Sequence, residues 1–369
     1  MKLLCMTEVD FIPKEYQNHL EQGKVSWQSP SNIALVKYWG KYGEQLPKNA
    51  SISFTLSNCH TNTTLGFEPK SSEGFEFEVF LDGKLAPNFA PKIQTFFERI
   101  ERYMPFLKEY NFTIETSNSF PHSSGIASSA SGMSALALCL MSVERMLCSS
   151  RSQEGGMSEA YFLQKATFLA RLGSGSACRS IEGPVVVWGV HNEIDDSDDL
   201  FGTKFPFDLH NNFKNYQDTV LLVDQGEKQI SSTVGHDLMY DHPYSESRFL
   251  QAEKNLSNLI PVLKEGNLAK FIEIVENEAL SLHAMMLTSN PYFILMKPNT
   301  LEIINRIWKY RRETGSSVCF TLDAGANVHV LYPENEKETV LAYIKNELFA
   351  FCQDGQYICD QIGLGAKML

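Results

Sequence analysis

Ser123-Ser124-Gly125-Ile126-Ala127-Ser128-Ser129-Ala130-Ser131-Gly132 runs straight into an apolar helical stretch that ends near Cys148. Small residues let a ligand approach the backbone, and free N–H groups at a helix start, with hydroxyls beside them, suit phosphate oxygens. The segment reads as a phosphate cradle built without a lysine, or else as a Ser-rich linker or a tightly packed helix start. It is not a GxxxxGK[ST] loop, which occurs nowhere in the chain. Asn32-Ile33-Ala34-Leu35-Val36-Lys37-Tyr38-Trp39-Gly40-Lys41 sets two lysines four apart beside two aromatics. In an acidic chain this is a candidate anion site, although on its own it fits a strand with two solvated lysines better. Gly173-Ser174-Gly175-Ser176-Ala177-Cys178-Arg179-Ser180 holds one arginine in a flexible loop, which suits bidentate recognition of a carboxylate or phosphate. The plainer alternative is a surface loop whose arginine caps a helix. Thr321-Leu322-Asp323-Ala324-Gly325-Ala326-Asn327 puts an acid at the end of an apolar strand, where it could reach a hydroxyl in a cleft. An Asx-turn serves that segment equally well.

Other chemistry is poorly supported. His60, His122, His283 and His329 are isolated and read as packing or surface residues, and Cys178 as a small buried residue. No HExxH, GxSxG or kinase catalytic loop is present.

The elements that must carry these segments mix strands and helices without strict βαβ alternation, which favours α+β. Ser51 to Leu56 and Gly74 to Leu81 alternate with period two, and Asp82-Gly83 then supplies a hairpin turn. Val185 to Gly189, Thr219 to Val223, Val318 to Leu322 and Val328 to Tyr332 read as further strands. Ser134 to Leu147 and Ser158 to Leu172 read as helices; Leu268, Phe271, Ile272, Val275, Ala279 and Leu282 share one helical face. Thr300 is placed to cap a helix carrying Leu301, Ile304 and Trp308. A polar run from His191 to Asp199 marks a composition shift, so a boundary near residues 195–215 divides the chain into 1–205 and 206–369.

The 369 residues suffice for two domains or one large one. Apolar residues at 43% and charged residues at 21% describe an ordinary globular chain. Thirty-two basic against 44 acidic side chains leave a net charge of −12, which disfavours a nucleic-acid binder; an anionic ligand must be caught by a few local cations. The eight cysteines form no CxxC pair, and the acidic N-terminus does not resemble a signal peptide. The longest apolar stretch, around Met133 to Met141, is far shorter than a membrane span. The expectation is a soluble, reduced, cytoplasmic protein.

Together the four segments resemble the GHMP kinase superfamily, through the lysine-free Ser/Gly cradle and the strand-end Asp-Ala-Gly turn. Within it, the Asn32–Lys41, Gly173–Ser180 and Thr321–Gly325 segments resemble the diphosphomevalonate decarboxylase family. So do Leu46-Pro47 with Asn49-Ala50-Ser51-Ile52-Ser53, and Leu282-His283-Ala284-Met285-Met286 with Asn290-Pro291. The matches keep the family's order from residue 32 to residue 327.

The resemblance implies an α+β, GHMP kinase-like two-domain fold. Its N-terminal half would be ribosomal S5 domain 2-like and its C-terminal half ferredoxin-like, with the active-site cleft between them. It also implies ATP-dependent phosphorylation of the 3-hydroxyl of mevalonate 5-diphosphate, then loss of phosphate and CO₂ to give isopentenyl diphosphate. Asp323 matches the catalytic aspartate, Arg179 the arginine that grips the substrate carboxylate, Asn32 its supporting asparagine, and Lys37 the lysine near the transferring phosphoryl. Tyr38 and Lys41 match diphosphate contacts. Ser176 and the cradle residues Ser124, Gly125, Ala127, Ser128 and Ser129 would hold phosphate oxygens. Mg²⁺ is implied with ATP, held mostly through phosphates and water, and a homodimer is implied with no interface to name.

His122-Ser123-Ser124 stands where the family usually has Thr-Ala-Ala, Lys48 and Ala50 depart from its common residues, and the segment before Asn32 is long. The rivals are a mevalonate 3-kinase, a phosphomevalonate decarboxylase and a catalytically inactive small-molecule sensor. Asp323 disfavours the first, Tyr38 with Lys41 the second, and the joint presence of Asp323, Arg179 and Lys37 the third.

Overall fold

A computed structural model describes residues 6–121, 126–148, 156–226 and 232–369. β1 (Gly23–Val36) is followed by the short pair β2 (Lys41–Tyr42) and β3 (Leu46–Pro47), then by the long β4 (Ser51–Pro69). β5 (Glu76–Leu81) and β6 (Lys84–Leu85) form the expected hairpin, with Asp82 and Gly83 at φ +50° and +75°. α1 (Ala90–Ile100), β7 (Tyr110–Asn118), α2 (Ser128–Cys148), α3 (Glu159–Gly173), β8 (Val185–Trp188) and β9 (Gly202–Lys204) follow. Then come α4 (Asn211–Lys214), β10 (Gln217–Leu221), α5 (Ser232–Asp237), α6 (Ser245–Glu265), α7 (Leu268–Thr288) and α8 (Pro298–Thr314). β11 (Cys319–Thr321), β12 (Val328–Tyr332), α9 (Lys337–Tyr343), β13 (Tyr357–Gln361) and β14 (Lys367–Met368) end the chain.

The first sheet runs β14-β1-β4-β7-β5-β6, with β8 paired to the start of β4 and β9 beyond it. Its last strand comes from the chain's end: Met368 and Lys367 pair with Trp27 and Gln28. The second sheet runs β11-β12-β10-β13, all antiparallel. Every residue of β10 and β12 is buried, because both faces of this sheet are covered. Val220 and Leu331 point into a core shared with Ile33, Ile52 and Phe54 of the first sheet and with α6 and α7; Leu221 and Val330 pack under α8 and α9. This shared core and the Asp360 carboxylate, which accepts the N–H groups of Ser57, Asn58 and Cys59 at 2.7–2.9 Å, join the halves.

β1 begins well before the Asn32–Lys41 segment that fits a strand, and takes in Ser29, Pro30 and Ser31. The structure buries these polar residues and satisfies them across elements. Ser29 Oγ lies 2.6 Å from Ser134 Oγ and donates to the Ser180 carbonyl, Ser31 Oγ donates to the Ile126 carbonyl, and Pro30 sits at a register shift. α2 starts six residues before the expected Ser134, so Ser128 and Ser129 are helical. By length and composition α2 could cross a membrane, but 78% of its apolar window is buried in the first core beside α3. Thr300 lies inside α8 rather than at its cap, accepting from the Lys297 N–H at 3.1 Å.

The N-terminal segment is a strap on this core. Phe11 is fully buried and stacks on Phe168 at 4.4 Å; Gln17 and Asn18 donate their N–H groups to the Leu147 carbonyl; the Tyr16 hydroxyl contacts Glu144. Phe11→Ala is expected to cost about 3–5 kcal/mol of stability in chemical denaturation, with turnover per folded molecule unchanged.

Candidate active site

The end of β1 delivers Lys37 into a cleft of about 310 Å³ between the two halves. Lys37 is 1% exposed, and its ammonium lies 3.1 Å from Asp323 Oδ1, just beyond β11. Burial pushes the ammonium below its usual range while Asp323 and Glu278 pull it back. The lysine backbone is clamped as well: its N–H donates to Glu278 Oε2 at 2.9 Å, and its carbonyl accepts from Asn49 Nδ2 at 3.0 Å. Glu278 is itself fully buried, bonded by Arg248 and Asn255.

Asp323 is held from behind. His283 Nε2 lies 3.1 Å from the Asp323 carbonyl, so that nitrogen carries the proton, and Gly325 N–H donates to the same carbonyl at 2.7 Å. Burial pushes His283 down to about 4, which keeps it a neutral donor beside Lys37. This corrects the reading of His283 as a mere packing residue. His329 differs too: it is buried with Nδ1 2.7 Å from Asp218 Oδ2. His122 lies outside the described residues.

Arg179 projects from the turn after α3 and is 2% exposed. Nε donates to Ser53 Oγ at 2.7 Å and Nη1 to Ser51 Oγ at 2.5 Å, two hydroxyls that the period of β4 sets on one face. Nη2 has no protein partner among the described residues. Asn32 donates Nδ2 to Ser180 Oγ at 2.7 Å and to the Ser176 carbonyl at 3.2 Å, holding the same turn against β1. Cys178 fits its expected description: its thiol donates to the Gly175 carbonyl, and burial pushes it up to about 12.

Tyr38 is half-buried against Trp188, with ring centroids 4.6 Å apart, and its hydroxyl lies so close to Gly175 that a Cβ there would meet it at 2.9 Å. Lys41 Nζ lies 3.4 Å from Asp237 of α5. Ser176, Ala127 and Ser129 also line the cleft, whereas Ser128 lines the neighbouring cavity. Ser124 and Gly125 lie outside the described residues. Ala127 takes φ +41° and its carbonyl accepts the N–H groups of Ala130 and Ser131, so Ser128 and Ser129 form the first turn of α2.

The second cavity, of about 270 Å³, lies between α1, β4, β5, β7 and the start of α2. Val79, Leu81, Ile93 and Met133 make it apolar, and Ser128, Ser129 and the exposed Lys92 stand at its junction with the cleft. Sequence reasoning missed Lys92, Glu278, His236 and the Ser51–Ser53 brace. Glu278 carried a signal, since it occupies the apolar stripe of α7 between Phe271, Val275 and Leu282. Ser51 and Ser53 lie in the alternating Ser51 to Leu56 segment; Lys92 and His236 carry no such signal. Among the described residues no group of three His, Cys, Asp or Glu side chains could hold a metal ion. Glu278→Ala, which leaves Arg248 buried without its carboxylate and the Lys37 N–H unpaired, is expected to cost about 3–5 kcal/mol in urea denaturation, with a parallel fall in turnover.

Residues 29–199 match the model of the diphosphomevalonate decarboxylase-like N-terminal domain, and residues 219–364 that of the mevalonate 5-diphosphate decarboxylase C-terminal domain. The diphosphomevalonate decarboxylase of Candida albicans is 29% identical over 339 residues, covering 86% of each chain. A solved structure described as MDDEF in complex with MVAPP, AMPPCP and magnesium is 28% identical with a TM-score of 0.78, over 94% of this chain and 99% of that one. The mevalonate diphosphate decarboxylase of Legionella pneumophila is 29% identical with a TM-score of 0.75, over 91% of this chain and all of that one.

Proposed function

The chain belongs to the diphosphomevalonate decarboxylase family, and from that premise we propose that its cleft carries out ATP-dependent 3-phosphorylation and decarboxylation of mevalonate 5-diphosphate. The products are isopentenyl diphosphate, ADP, phosphate and CO₂. The observation that carries the reading is the meeting of Lys37, Asp323 and Arg179 in one cleft beside the open first turn of α2.

A tertiary alcohol leaves poorly, and phosphorylation turns it into a good leaving group. Asp323 accepts the 3-hydroxyl proton as the oxygen attacks the γ-phosphoryl group of ATP; once that proton passes to an oxygen of the new 3-phosphate, the restored carboxylate favours the positive charge that grows at C3 as phosphate departs. The C1–C2 electrons close the new double bond as CO₂ leaves. Lys37 offsets negative charge on the transferring phosphoryl and pairs with the Asp323 carboxylate at 3.1 Å until substrate arrives. Arg179, with Nε and Nη1 already committed to Ser53 and Ser51, presents Nη2 to the substrate carboxylate, and Asn32 steadies its turn. Tyr38, Lys41 and Ser176 take the diphosphate. Ser128, Ser129 and Lys92 face the nucleotide phosphates, and the apolar second cavity has the lining to seat the base. Mg²⁺ fits this site only when brought in on the phosphates, since the described residues supply no acidic cluster for it; bound there, it neutralises phosphoryl charge. A cytoplasmic homodimer belongs to the same proposal, supported by the family likeness and, for the compartment, by seven described cysteines that are all free.

An ATP-dependent assay is expected to release ADP and CO₂ in equal amounts from mevalonate 5-diphosphate and none from mevalonate or mevalonate 5-phosphate; ADP without CO₂ would instead mark a 3-kinase. Asp323→Asn is expected to lower kcat by about 10²–10⁴ with ATP affinity retained by equilibrium titration. Near-normal turnover would remove Asp323 from its assigned role.

A further inference from the structure

His236, which the reaction as derived does not use, lines the cleft from α5. Its Nδ1 accepts the Gly40 N–H at 2.9 Å. A backbone N–H can only donate, so Nδ1 presents its lone pair and the ring proton sits on Nε2. The ring cannot readily turn over, because it lies against Tyr38 and Trp39 with centroids 4.2 and 4.6 Å away. The surrounding backbone is equally constrained: a Cβ on Gly235 would meet the Trp39 ring at 2.6 Å, and Gly40 holds φ +101° against Phe249. Nε2 has no hydrogen-bond partner among the described residues.

We propose that His236 is a further substrate-binding residue, donating Nε2–H to a phosphate oxygen at the diphosphate end of the substrate. The inference rests on the reading that Tyr38 and Lys41 flank that diphosphate. His236 touches the ring of the first and precedes Asp237, the ion-pair partner of the second, so its free donor serves the same end of the cleft. Burial, with the positive charges of Lys41 and Arg179 nearby, pushes the imidazole down to about 3. The ring therefore adds a directed hydrogen bond without adding another charge where Lys37, Lys41 and Arg179 already repel one another. Arg179 is occupied with the carboxylate end, which leaves the phosphate oxygens as the acceptors within this ring's reach.

The test compares His236→Phe, which keeps the ring packing, with His236→Gln, whose amide can accept from Gly40 and donate into the cleft, and with Lys41→Ala as the marker of the diphosphate end. His236→Phe is expected to raise KM for mevalonate 5-diphosphate about ten- to a hundredfold, the usual weight of a hydrogen bond to a charged group, while kcat changes far less. His236→Gln is expected to recover most of that loss. An unchanged KM in His236→Phe, with KM raised in Lys41→Ala, overturns the inference and leaves the functional reading standing. An unchanged KM in Lys41→Ala, or no CO₂ release by the wild-type enzyme, overturns the reading and the inference with it. A loss in kcat that matches the loss in KM and is not recovered by glutamine assigns His236 to packing and overturns the inference. Nitrogen-15 correlation spectra of the free enzyme at neutral pH should show a neutral ring protonated at Nε2; a doubly protonated ring also overturns it.

Discussion

Lys37 is an ammonium taken almost wholly out of water, and such a group is tolerable only with carboxylates beside it. Both carboxylates come from the far half of the chain: Asp323 meets the ammonium, and Glu278 holds the lysine's own N–H and adds its field. The N-terminal sheet therefore cannot place its lysine favourably until α7 and the β11 turn are docked against it. Burying the cation joins the assembly of the cleft to the packing of the two halves. The shared core of Ile33, Ile52 and Phe54 with α6 and α7 supplies the apolar side of the same coupling.

Around that pair the site is cationic within an acidic protein, and its polar groups are fixed before any ligand arrives. Arg179 is braced by two serine hydroxyls, Asn32 holds the turn that carries it, and His283 grips the backbone of Asp323. Pre-set donors of this kind cost little reorganisation when charge develops. His283 behind Asp323 and His236 in the cleft wall, pushed down to about 4 and 3, stay neutral across the physiological range. Each is a hydrogen-bond donor whose tautomer is set by the backbone group it meets.

α2 serves both stability and binding. Its apolar body fills the first core, so completely that by composition it resembles a membrane span, while its first turn opens between the cleft and the apolar second cavity. The strap from Phe11 to Asn18 covers the same core, which accounts for a segment that the resemblance left without a purpose.

The α+β class, the Asp-Gly hairpin, the strands around Ser51 and Val328, the apolar stripe of α7, and the segments that hold Lys37, Arg179 and Asp323 are all legible before any folding is known. Each of these is written in local periodicity, turn chemistry or a short motif, which need no knowledge of distant residues. The assembled fold was needed to show that Ser29 and Ser31 lie in a strand and that Asn32 is buried beside them, because their partners, Ser134, Ser180 and Ile126, lie far along the chain. It likewise decided that Lys37 is desolvated against Asp323, that His283 supports the aspartate, and that His236 faces the cleft with one committed nitrogen. Burial and charge pairing are properties of the assembled surface. A lysine, a serine or a histidine reads the same in sequence whether water or a carboxylate surrounds it.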